Sequence, residues 1–312
     1  MPFLPVGGQA VIEGVMMRSP SRMAVAVRRP DGTLAFLERP FSSVTRRFKP
    51  LGWPVVRGAV SLFETLGLGM SALNFSAEEA SRAEDARPDA KPSPAQQGLQ
   101  FVTVALSLAL GMFLFVILPA RVTGALGFHD RVGFGVVDGV FRLLVFVLYL
   151  LLISQWKEMR RVLGYHGAEH KSIHAIENGA PLTPGSVMTF SRLHPRCGTS
   201  FLFLVVVVSV VVFSFIGKPR GVGDHLLRIA CMPLIAGIAF EFVRLSGRHA
   251  TRPVVRWLVW PGMQFQRLTT REPDAEMCAV AIAALERVRN DEAVLALERA
   301  GVPAQGEMAF IQ

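Results

Sequence analysis

The sequence predicts a mainly α-helical membrane protein: a four-span transmembrane helical bundle with a small β-rich N-terminal cytoplasmic unit and a C-terminal cytoplasmic helix. Three observations lead there. Half of the 312 residues are hydrophobic and the mean hydropathy is positive, which is too apolar for a typical soluble domain with one core. Residues 101–120 and 198–217 hold no charged side chain, and each stretch is long enough to cross about 30 Å of hydrocarbon. Residues 134–153 and 226–245 are as long, although the first carries Asp138 and Arg142 and the second Arg228 and Glu241.

Residues 1–50 read as the β-rich unit, because short apolar runs at 23–28 and 33–37 flank Pro30-Asp31-Gly32, which is hairpin-turn chemistry. Over 51–82, Val55, Val56, Ala59, Leu62, Phe63, Leu66 and Met70 recur every three or four residues. That period predicts an amphipathic helix, lying on a membrane surface or docked on the bundle. Residues 83–100, rich in Pro, Asp, Lys and Ala without apolar period, read as a flexible linker. The membrane domain occupies 101–250 and includes a histidine-rich cytoplasmic loop at 154–197. In that loop the second span stays helical through Arg161, meets Gly164, and a histidine helix then runs to Asn178-Gly179. Thr183-Pro184 starts a short helix to about Leu193, and His194-Pro195-Arg196-Cys197 turns the chain into the third span. Residues 251–312 hold an interfacial segment with Trp257 and Trp260. A last helix follows, opened by Pro273-Asp274-Ala275-Glu276 and striped with Val280, Ile282, Ala283, Leu285 and Val288.

Positive charge sets the orientation. Lys157, Arg160, Arg161, Lys171, Arg192 and Arg196 lie in the 154–197 connection and Arg248, Arg252 and Arg256 after the fourth span. Those segments and both termini are therefore expected in the cytoplasm. The net charge of +9 is then accounted for by juxtamembrane positives facing anionic lipid, and no nucleic-acid partner is expected. The N-terminus lacks a charged region followed by an apolar one, so no cleaved signal peptide is expected. Three cysteines without a CxxC pair suggest no disulfide framework.

The chemistry concentrates at residues 165–174, YHGAEHKSIH, in a chain with only seven histidines. On a helix, His166, Glu169, His170 and His174 share an arc of about 140°. Imidazoles at i and i+4 can bind one divalent ion, and the carboxylate before the second can take a proton from water. This is the HxxEH arrangement of inverted zinc peptidases. His194 and Cys197, at the mouth of the third span, are suitable further ligands for zinc. The plain alternative is an exposed juxtamembrane face decorated with imidazoles. In the peptidase pattern the third ligand is a distant glutamate, for which the chain offers Glu241 or Glu177. Glu241 could instead pair with Arg244, one helical turn away. Asp138 and Arg142 form an i, i+4 pair that, with His129, Asp130, Asp224 and His225, would make a second polar cluster near the outer face.

The segments at 7–20 (GGQAVIEGVMMRSP), 52–58 (GWPVVRG), 165–177 (YHGAEHKSIHAIE), 191–203 (SRLHPRCGTSFLF) and 261–274 (PGMQFQRLTTREPD) together resemble the YqhQ family of bacterial membrane proteins, known chiefly as a domain of unknown function. The resemblance implies a multi-pass protein of the bacterial inner membrane, and its members are at most labelled metal-dependent enzymes. Gln9, Glu13 and Arg18 match the first motif, which implies that Glu13 could reach the metal from the N-terminal unit.

The leading expectation is a zinc-dependent hydrolase on the cytoplasmic face. His166 and His170 would bind the ion, with His174, His194 or Cys197 completing the shell. Glu169 would act as general base, and Arg196 or Arg192 would hold an anionic group of a lipid, phosphorylated or peptide substrate. Four N and S donors could also close the shell and make the ion structural. The alternative is therefore a non-enzymatic scaffold or assembly factor, or a metal-handling transporter with Asp138, Arg142, Arg228 and Glu241 along one polar path. The lipid bilayer is the expected partner on this reading, and self-association is left open.

Overall fold

The computed structural model describes residues 6–82, 94–128, 130–194, 197–219, 221–248 and 253–289. The chain opens with four antiparallel strands in meander order, β1 (Gly7–Val11), β2 (Gly14–Arg18), β3 (Arg22–Arg28) and β4 (Leu34–Pro40). The β3–β4 turn is the expected one: Gly32 takes φ +84° and the Asp31 carboxylate accepts from the N–H and hydroxyl of Thr33. The β1–β2 turn puts Glu13 at φ 51°, an uncommon backbone for a glutamate.

A short α1 (Val44–Arg47) leads to α2 (Val56–Ala80), then α3 (Pro94–Met112), a π turn, α4 (Leu118–Ala125) and α5 (Arg131–Ile153). After them come α6 (Lys157–Glu177), α7 (Pro184–Met188), α8 (Gly198–Ile216), α9 (Val222–Ala230), α10 (Met232–Arg248), α11 (Pro253–Thr269) and α12 (Ala275–Arg289). Helix α3 already begins at Pro94, so residues 94–100 are helical rather than linker; residues 83–93 lie outside the described ones. Among the described residues three helices are long and apolar enough to cross a membrane: Phe101–Ala125, Arg131–Ile153 and Val222–Ser246. The expected third span forms α8, a 19-residue apolar helix.

The sheet is buried on both faces. Val15, Met17, Ala24 and Ala26 pack on α6 and α12, while Val11, Met16, Met23, Val25 and Val27 pack on α2 around Ala72. Burial on two sides explains why β2 and β3 read as continuous apolar runs without polar alternation. The α12 stripe supplies much of the shared core, with Val280, Leu285 and Val288 fully buried. The first and last described segments therefore belong to one globular body.

In the apolar part α8 is central, packing on α5, α10 and α11. Gly135 and Gly139 let α5 and α8 touch: a Cβ at either would come within 2.0 Å of Ser214 Oγ or Val210 Cγ2. Asp138 and Arg142 do pair, at 3.0 Å, and Arg228 joins from α9 at 3.4 Å. His129, expected beside them, lies outside the described residues. Glu241 takes Arg57 on α2 and the N–H of Val55 just before it as partners, not Arg244 alone. Arg228 and Glu241 are 13 residues apart on one nearly continuous helix, hence about 20 Å along its axis. Helix α2 thus docks on α10 and the sheet, while Phe63, Leu66 and Met70 remain exposed on its other face.

Candidate metal centre

The histidine helix α6 is separate from α5: the chain breaks at residues 154–156 and then runs through Gly164 without interruption. Gly164 and Gly167 serve packing. A Cβ at Gly167 would lie 2.0 Å from the Arg271 carbonyl, and one at Gly164 would lie 2.8 Å from Met277 Sδ. The segment after α11 consequently runs against α6, and the Arg271 N–H bonds the Leu163 carbonyl at 2.8 Å. Gly179, at φ 63°, ends the helix just past Asn178, as its sequence predicts.

That close segment orients His166, and the segment before α8 orients His170. Nδ1–H of His166 donates to the Thr269 carbonyl at 2.7 Å and Nδ1–H of His170 to the Arg192 carbonyl at 2.5 Å. A carbonyl only accepts, so in both rings Nε2 is the nitrogen that could bind a metal, the arrangement typical of ligating histidines. His166 Nε2 lies 3.3 Å from Cys197 Sγ, and donor atoms of His166, His170 and Cys197 all fall within 4.8 Å of one another. For comparison, two ligands on a tetrahedral zinc are about 3.5 Å apart. The donor set fits zinc in chemistry as well: two imidazoles and a thiolate.

Glu169 sits one turn along, 5% exposed, with Gly8 of β1 pressed on it; a Cβ at Gly8 would lie 2.9 Å from Glu169 Cγ. Its Oε2 is buried without a hydrogen-bond partner. Burial raises its pKa, partly offset by the charges of His170 and His166. For His194, burial followed by the charge of His170 pushes the pKa down to about 3, so its ring is neutral. Gly8, His166, Glu169, His170, His194 and Cys197 line a cavity of about 110 Å³, with room for an ion and water.

Not every expected residue reaches this cavity. His174 and Glu177 lie further along α6, within reach of His194. Glu13 is held by Arg161 and, at 3.3 Å, by the Tyr165 hydroxyl, and Glu241 by Arg57. Arg192 is engaged with the Thr270 carbonyl and, at 3.3 Å, with Glu272; Arg196 lies outside the described residues.

Sequence reasoning missed Gln266. Fully buried, it accepts from the His194 N–H and donates to the His194 carbonyl, each at 2.7 Å, and so holds the backbone that presents His194. Thr269, Gly8 and Gln266 carry no metal chemistry of their own, and only their place in the motifs at 7–20 and 261–274 could have pointed to them.

Residues 53–291 match the family described as "Protein of unknown function (DUF1385)". The chain belongs to this family. It is also 31% identical over 297 residues to "Uncharacterized protein YqhQ" of Bacillus subtilis (strain 168), covering 92% of this chain and 93% of that one. No solved structure matches it.

Proposed function

We propose that this DUF1385 protein is a zinc-dependent hydrolase of the bacterial cytoplasmic membrane, with four spans and with its site and both termini in the cytoplasm. The observation that carries the catalytic reading is Glu169, whose buried, unpartnered Oε2 belongs to the cavity where His166, His170 and Cys197 converge. A zinc ion held there supplies Lewis acidity and lowers the pKa of water. Glu169, raised by burial, is suited to take a proton from an attacking water, and the His194 ring lines the same cavity. Topology supports four spans. The sheet and α12 share one core, so the chain must cross an even number of times between them, and α8 adds a fourth crossing to the three long helices. The arginines of the 154–197 connection support a cytoplasmic site.

The substrate class stays open among lipid, phosphorylated compound and peptide. The test is zinc content of the detergent-purified protein beside hydrolysis of p-nitrophenyl esters and of phospholipid vesicles. Glu169→Gln should keep zinc and lose turnover, whereas His166→Ala with His170→Ala should lose both. A zinc-bound protein whose cellular phenotype survives Glu169→Gln favours the second reading, a scaffold with a structural ion. The nearness of His194 favours that reading too, since four protein donors close a tetrahedral shell. A metal-handling transporter has less support, because Arg228 and Glu241 lie about 20 Å apart with separate partners.

A further inference from the structure

The donors carried by α6 form two groups. Beyond His166, His170 and Cys197, His174, Glu177 and His194 bring one donor atom each within 4.8 Å of the other two. His174 and Glu177 are i and i+3 on the last turn of α6 and share a face, while His194 arrives from the segment that also delivers Cys197. His194 Nε2 and Glu177 Oε2 are 3.3 Å apart, close to the roughly 3.4 Å between two ligands bound to one ion at about 2.1 Å. Nε2–H of His174 donates to the Leu193 carbonyl at 2.9 Å, which fixes the orientation of the ring. The His194 ring lies 4.6 Å from His174 and 5.7 Å from His170, so it forms the wall between the two groups. A simple histidine–carboxylate pair accounts for His194 and Glu177. It does not account for a third side chain with a donor at the same point.

We propose that His174, Glu177 and His194 bind a second divalent cation, which ties the segment bearing His194 and Cys197 to the end of α6. Neither His174 nor Glu177 lines the cavity, and His194 reaches it only as the wall between the two groups, so the role of this ion is positional. Two imidazoles and a carboxylate suit zinc, manganese or ferrous iron. That the second ion steadies Cys197 for the first rests on the zinc reading above; the second site itself does not.

Zinc alone is the probe. Metal-stripped full-length protein in detergent is saturated with zinc, desalted and counted by mass spectrometry. We expect two ions per chain, one in His174→Ala, one in the isosteric Glu177→Gln, and one in the His166→Ala, His170→Ala double variant. One ion in the unmodified chain, kept in the first two variants and lost in the double variant, overturns the second site and leaves the proposed function standing. One ion lost only from His174→Ala and Glu177→Gln removes the first site and leaves the second. No ion anywhere overturns both. Cobalt titration of the unmodified chain gives an answer that no misfolded variant can blur. The thiolate charge-transfer band should saturate at one equivalent while a second equivalent adds further ligand-field absorption. Saturation of every band at one equivalent overturns the second site.

Discussion

Nε2 of His166 and Sγ of Cys197 stand 3.3 Å apart, brought together from positions 31 residues apart in the chain. Burial alone would raise the Cys197 thiol, but the charges of His170 and His166 more than reverse this and hold its pKa well below the ordinary value. Burial would lower His166, yet the Cys197 and Glu169 charges and the Thr269 carbonyl raise it to about 9. Both shifts favour the form in which a thiolate faces an imidazolium.

This pair makes stability depend on pH in a definite window. His166, raised above its unfolded value near 6.5, contributes stability that is complete below that value and is lost as pH rises through about 9. Cys197, depressed, contributes stability that is present at alkaline pH and lost as pH falls through its folded value. The metal-free protein should therefore show a plateau in melting temperature across neutral pH, where the two contributions oppose each other, and a fall on approaching pH 9 that is complete once His166 has lost its proton. In Cys197→Ser that alkaline fall should shrink, because His166 no longer has a thiolate to raise it. Identical alkaline profiles in scanning fluorimetry would refute the coupling.

Gly167 is the second test. Alanine there would place Cβ 2.0 Å from the Arg271 carbonyl, a backbone atom that cannot swing aside. Overpacking of this kind costs about 1–3 kcal/mol, and relief would push the 269–271 segment off α6. Since that segment orients His166 through Thr269, Gly167→Ala should weaken zinc binding as well as lower the melting temperature. Full zinc affinity in a chelator competition would show that the contact is packing only.

How far the sequence discloses this centre depends on the range of each contact. Helical spacing suffices to put His166, Glu169 and His170 on one face, and Thr183-Pro184 suffices to start α7. It cannot show that the face is divided, with His174 and Glu177 turned toward His194, because that depends on where a loop returns. Glu13 and Glu241 carry the right chemistry but are held by Arg161 and Arg57, partners 148 and 184 residues away. Strand β2, GVMMR, lacks the alternation that marks a half-buried strand because α2 and α12 cover both of its faces. Gly164 looks like a helix break and is instead a point of close contact with Met277.

Gln266 offers a third prediction, on a residue with no ligand role. Replacing it with alanine takes the Gln266 partner from the buried His194 N–H, at a cost of about 1–3 kcal/mol, and one of two donors from the His194 carbonyl, which keeps the Cys197 N–H at 3.3 Å. The backbone before Cys197 loosens at the same time. Gln266→Ala should thus lower the melting temperature markedly and speed zinc release, while Gln266→Glu, which keeps only the acceptor, should fall between. A variant that melts like the unmodified protein would show that water replaces the clamp.

The charge cluster between α5 and α9 makes the fourth prediction, one about order rather than size. Asp138 serves two arginines, Arg142 at 3.0 Å and Arg228 at 3.4 Å. Arg228 also donates to the Gly217 carbonyl at 2.7 Å, and both guanidinium groups stack near Phe213. The buried group carries one positive charge more than it carries negative. Removing Arg142 leaves a balanced Asp138–Arg228 pair, whereas removing Asp138 takes the counter-charge from Arg142 and leaves Arg228 with Asp224 alone as counter-charge. Breaking a buried pair typically costs about 3–5 kcal/mol, and the uncompensated charge is the reason. Asp138→Asn should therefore destabilise the detergent-solubilised protein more than Arg142→Met, and combining the two should recover part of the loss. Thermal unfolding of the three variants decides it: if Arg142→Met proves the more damaging, the aromatic stacking and the Ser209 contact of Arg142 outweigh the charge balance.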